Sequence, residues 1–237
     1  MEYSKLDGSL GTGETGGKTL KRVIRNALVE GDLAAAEQFS YQIPIRKLVN
    51  PVFSFFCDAD ELVKWRAITL MGLLVARLAG QEMESARVIM RRLMWSLNDE
   101  SGGIGWGASE AMGEIMARHE ELAKEYSAIL GSYLREDGNF LEHPMLQRGV
   151  LWGIGRLAQE RPHCLKGIDA HLIGFLNSSD AVHRGFSAWA LGNLKSGIAV
   201  SKLKNLLKDG GEISFYDDFK IEVITVGHIA KLALSKI

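Results

Sequence analysis

Tryptophans, glutamates and a run of glycines are the residues of this 237-residue chain whose types and spacing could do chemistry. Trp106 stands four residues before Glu110, and Glu110 four before Glu114, so on a helix the three share one face. A carboxylate beside an indole can hold a cation, and a desolvated one can move a proton. Just ahead of them Gly102, Gly103, Gly105 and Gly107 crowd one turn. Consecutive amides leading into a helix N-terminus can receive phosphate or carboxylate. Asp99, Glu100, Glu110 and Glu114 make the area acidic, which suits a cation or a basic peptide better than a free anion. Tight turning, with Asp99 or Ser101 as the helix cap, explains the same glycines without a ligand.

Other chemistries fall away on spacing. The stretch Gly11–Thr19, GTGETGGKT, looks like a phosphate-binding loop, but the motif needs glycine where Thr12 stands, and no apolar strand precedes it. Cys57 and Cys164, far apart and outside any CxxC pair, make neither a disulfide framework nor a zinc finger. Cys57 closes the apolar run VFSFFC and reads as core. The six histidines include no metal-ligand pair at i, i+4 with a carboxylate partner, so neither metal nor cofactor is expected. The formal charge of −1 is too small to draw the chain onto nucleic acid or anionic lipid by bulk charge. The N-terminal stretch lacks the apolar core of a signal peptide, and no window is long and apolar enough to span a bilayer. A cytoplasmic protein is expected.

The elements that must position the tryptophans are helical throughout: period-3.6 patterning dominates from Thr19 onward, and convincing period-two alternation is absent. Five segments superpose on one glycine each, Gly72, Gly113, Gly155, Gly192 and Gly227. Five positions before it stand Ala67, Ala108, Val150, Ser187 and Glu222, so only the last breaks that column. Each glycine inside a helix costs about 1 kcal/mol relative to alanine, and a cost repeated this regularly implies a packing reason. Each such segment follows another amphipathic stretch, roughly 44–56, 85–97, 122–135, 164–176 and 198–208. Two helices in a period of about forty residues describe stacked helical hairpins.

With Val63–Ala67 and Gly72, Gly107–Ala108 and Gly113, and Asp180 through Gly192, the chain resembles the HEAT/armadillo superfamily, and more narrowly the short bacterial phycobilisome-lyase-type HEAT-like repeats. The resemblance spans about residues 43–234. It implies an all-α fold, an α-solenoid of about five hairpins behind an N-terminal cap: a flexible leader over 1–18, capping helices over 19–42 and the array over 43–237. In such arrays the second helix of each hairpin usually lines the concave side. That face would carry Trp65, Trp106, Glu110, Glu114, Arg148, Trp152, Arg156, Trp189, Asn193 and His228, an aromatic groove which, with Gly102, Gly103 and Gly105, is the expected ligand-binding surface. Either each indole packs over the glycine of an adjacent repeat, or several remain open as rigid anchors. The expectation is a non-catalytic module or scaffold holding a protein or peptide partner. The alternatives are an enzyme resembling the HEAT-like DNA glycosylases, using Trp106, Trp152 and Trp189 with Glu110 or Glu114 on a modified nucleobase, or an accessory role in bilin-type cofactor maturation.

Overall fold

A computed structural model describes residues 17–31, 33–98, 105–217 and 219–237. The expected leader, but for its last two residues, and Gly102, Gly103, Asp99 and Ser101 lie outside the described residues. The chain opens with α1 (Gly17–Glu30) and α2 (Leu33–Gln42) and continues as hairpins: α3 (Ile45–Phe53) with α4 (Glu61–Gln81), α5 (Met83–Leu97) with α6 (Ala108–Arg118), α7 (Glu120–Ser132) with α8 (Pro144–Glu160), and α9 (Asp169–Phe175) with α10 (Ala181–Asn193). A last pair, α11 (Val200–Asn205) and α12 (Val226–Lys236), encloses two strands, β1 (Glu212–Asp217) and β2 (Lys220–Thr225). The fold is an α-solenoid. The second helices α4, α6, α8, α10 and α12 pack in sequence order as an inner row.

Local chemistry sets the ends of that row. Asp60 accepts the amides of Leu62 (2.9 Å) and Val63 (3.3 Å) to start α4, and Asp180 accepts that of Val182 (2.8 Å) to start α10. His143 Nδ1 takes the Met145 amide at 3.2 Å to start α8, so this turn histidine is a cap. The five aligned glycines fall one to each inner helix, where they let a neighbouring backbone or side chain close up. A Cβ on Gly113 would enter the backbone of Gly153, one on Gly155 would enter the Trp189 ring, and one on Gly192 would lie 2.6 Å from the Ala233 Cα. This close approach is what the repeated helix-propensity cost supports.

The expectation of purely helical elements fails in one place. β1 and β2 pair antiparallel from Glu212↔Thr225 to Asp217↔Lys220, with Phe219 at the turn in a left-handed conformation (φ 64°). Glu222, assigned by alignment to the last inner helix, therefore lies in a strand, because α12 begins only at Val226. Cys57 is also misplaced by the core reading. The helical phase stops at Phe53, Phe55 and Phe56 turn inward, and Cys57 is exposed.

Candidate functional site

The tryptophan row does come together, but it is largely closed. Trp65 on α4 and Trp152 on α8 meet with ring centroids 4.7 Å apart, and Trp189 on α10 follows at 6.1 Å from Trp152. Over them lies the β1–β2 hairpin. Tyr216 stacks on Trp65 (5.1 Å, 8° between planes) and tilts against Trp152 (6.3 Å), while Phe215 meets Trp189 edge-on (5.0 Å, 87°). Two polar contacts fix it: Trp152 Nε1 donates to the Tyr216 carbonyl at 3.3 Å, and the Tyr216 hydroxyl lies 2.9 Å from Thr69 Oγ1. Trp152 is 2% exposed. Burial pushes the Tyr216 hydroxyl up to about 12, against a smaller lowering by the Thr69 hydrogen bond.

Packing over a repeat glycine describes Trp189, which covers Gly155. Trp65 and Trp152 are instead roofed by Tyr216, a residue that the helical reading passed over. Its signal was local: EISFYD and KIEVIT are rich in β-branched and aromatic residues on either side of a two-residue break.

The polar candidates divide between stitching the array and facing outward. Glu114 is buried on α6 and accepts from Arg118 Nε and Arg156 Nε, both at 2.7 Å, so it ties α6 to α8. Burial works against the Arg156 charge, yet Glu114 and Glu160 together hold its guanidinium above its ordinary value. Arg148 donates to Asp180 at 2.7 Å, joining α8 to the cap of α10. Burial of Asp180 opposes its charge, but the Arg148 hydrogen bond leads the contacts that bring its carboxyl below the usual range. Asn193 donates to the Gly155 carbonyl (3.1 Å) and accepts from Lys236 (2.7 Å). His228 is exposed on α12. Gly105 lies against the end of α5, where a Cβ would stand 2.7 Å from the Ser96 carbonyl oxygen, so close approach of the backbone requires glycine there.

Trp106 and Glu110 behave differently. Trp106 is 39% exposed, just ahead of α6. It borders a cavity of about 160 Å³ shared with Asp58, Glu61, Lys64, Glu110 and Met145. Glu110 is 6% exposed; it accepts the Ser109 hydroxyl at 3.0 Å, and Lys64 Nζ stands 3.8 Å from its Oε1. Glu110 and Glu114 thus serve separate surroundings and form no acid–base pair. Asp58 is held by two hydrogen bonds from Arg25, at 3.1 and 3.2 Å. Among the described residues no group of three His, Cys, Asp or Glu is disposed to hold a metal ion, and no helix is long and apolar enough to cross a membrane.

No protein-family profile and no curated sequence matches the chain. Solved structures do match in fold. An engineered protein from a structural genomics consortium superposes with TM-score 0.54 at 17% identity, covering 94% of this chain and 92% of its own. A designed armadillo repeat protein, YIII(Dq.V1)4CPAF, solved in complex with peptide (KR)4, gives TM-score 0.52 at 19% identity over 94% of this chain and 95% of its own. A HEAT-like repeat protein of the archaeon Thermococcus onnurineus NA1 is similar at 15% identity and TM-score 0.38, over 91% and 79%. The chain has an armadillo-like helical repeat fold.

Proposed function

We propose that this protein is a non-catalytic binding module that holds an extended segment of a partner protein along the concave side of its array. The observation that carries the reading is the contrast among the inner-face tryptophans. Trp65, Trp152 and Trp189 already grip an extended strand through ring stacking and a main-chain hydrogen bond, while Trp106 stands open just ahead of α6 beside a buried carboxylate. Rigid amphipathic rings that hold a backbone this way are the usual anchors of peptide recognition. In this reading the hairpin fills the centre of the groove permanently, and a partner docks at Trp106, beside the N-terminal ends of α4, α6 and α8.

The glycosylase alternative gains nothing from this arrangement. It needs Trp152 and Trp189 free to stack on a base, and both lie under hairpin aromatics; Glu114 is engaged by two arginines. The proposed function is tested by selecting binders from a displayed random-peptide library against the full chain and mapping one by NMR shifts. Shifts are expected at the Trp106 indole and around Lys64, Glu110 and Met145. A library yielding no binder, or binders that map to the outer helices α3, α5 and α7, overturns it.

A further inference from the structure

Of the carboxylates that line the cavity beside Trp106, Glu110 is the buried one. On α8, Gly149 faces it, and a Cβ there would stand 2.5 Å from Glu110 Oε2 and 2.6 Å from Ser109 Oγ. The missing side chain is therefore the space the carboxylate occupies. A buried carboxylate can accept about four hydrogen bonds, and leaving that capacity unused costs free energy. Among the described residues Glu110 receives one neutral hydrogen bond, from Ser109, and one loose ion pair, from Lys64. Lys64 is a displaceable partner: its Nζ stands 3.8 Å from Glu110 Oε1 and 5.3 Å from the centre of the Trp65 ring. The other walls include an open indole, the Met145 thioether, which receives Arg148 Nη1 at 3.1 Å, the carboxylate of Glu61 and the apolar side chains of Phe56 and Leu146. With Asp58 already paired to Arg25, an anion would still meet two lining carboxylates against one ammonium, and an apolar group would desolvate Glu110 without compensation.

We propose that this pocket binds a guanidinium or ammonium group, which inserts between the Trp106 indole and the Glu110 carboxylate and displaces Lys64 from it. The indole supplies a cation-attracting face and the carboxylate a charge-assisted hydrogen bond. A cavity of about 160 Å³ has room for the end of one long basic side chain. The proposal rests on the segment-binding reading only for where the cation comes from, a lysine or arginine of the partner or a free amine.

The test uses the full chain with N-acetyl-arginine amide and N-acetyl-lysine amide as probes and N-acetyl-citrulline amide as the uncharged counterpart of the first. Binding is followed by calorimetry and by the Trp106 indole N–H resonance. Both cations should bind and citrulline should not. Glu110→Gln should weaken binding by about tenfold or more, and Trp106→Leu by several-fold with an unchanged melting temperature, because the ring is open to solvent. Lys64→Gln should strengthen binding by about threefold or more, since the internal competitor is gone. That opposite sign keeps the test decisive even if Glu110→Gln fails to fold. Citrulline binding as tightly as arginine, weaker binding by Lys64→Gln, or shifts confined to other residues each overturn the proposal. Selected segments that carry no basic residue at Trp106 overturn it while leaving segment binding intact. Probes that bind here when no segment can be selected overturn segment binding and assign the cation to a free amine. An arginine-containing peptide that outbinds the probe assigns it to a partner.

Discussion

One added methyl group should have opposite effects at two glycines of this chain. Gly80, near the end of α4, has nothing within 4 Å of where a Cβ would sit, so Gly80→Ala should stabilise by about 0.5–1 kcal/mol through helix propensity alone. Gly155→Ala drives a Cβ into the Trp189 ring and should cost about 1–3 kcal/mol, outweighing the same propensity gain. Urea unfolding of the two variants measures both signs. Glu114→Gln belongs at this scale too: removing the charge that Arg118 and Arg156 share should cost about 3 kcal/mol, read from the same curves. Residue types were legible in the sequence where period and packing agree, as in the glycine register. They were misread where a helix stopped early, as at Cys57, whose apolar neighbours imply burial only if α3 continues past Phe53.

The hairpin is the element whose removal or weakening reports most directly. Tyr216 has a folded-state value of about 12 against roughly 10 in the unfolded chain, so the folded state keeps a proton that the unfolded state sheds. The sign follows: that contribution is fully present below about pH 10 and is lost as pH rises from 10 toward 12. Wild type should therefore lose stability over that window more steeply than Tyr216→Phe, which has no proton to release; chemical denaturation at stepped pH measures the difference. Below pH 10 the same variant should cost about 1 kcal/mol for the Thr69 hydrogen bond. The inner helices could be read from sequence because their caps, periodicity and glycines point the same way. The hairpin's local signal was outweighed, because its strands lie among helical signals, its turn residue Phe219 is an unusual choice for a left-handed conformation, and its alternation is short.

At the scale of the whole molecule, the periodic spacing of about forty residues made the array legible, since each hairpin buries its apolar face only on its neighbours. What lies over the inner face was not legible, because the contact between Thr69 and Tyr216 spans 147 positions and no periodicity encodes it. Truncation after Asp209 removes the hairpin and α12 together. It should leave the earlier hairpins helical by circular dichroism, shift tryptophan emission to the red as Trp65, Trp152 and Trp189 meet water, and create binding of a hydrophobic dye.

An open stack of repeats is normally coupled only between adjacent units, so it bends like a spring and frays from its ends. Here Tyr216 joins the first hairpin to the third, and Phe215 joins the strand to the fourth. The hairpin is thus a tie drawn across the repeats: it makes melting of the terminal units cost the middle ones their cover, and it slows folding, because Thr69 and Tyr216 must meet across 147 positions before the tie can form.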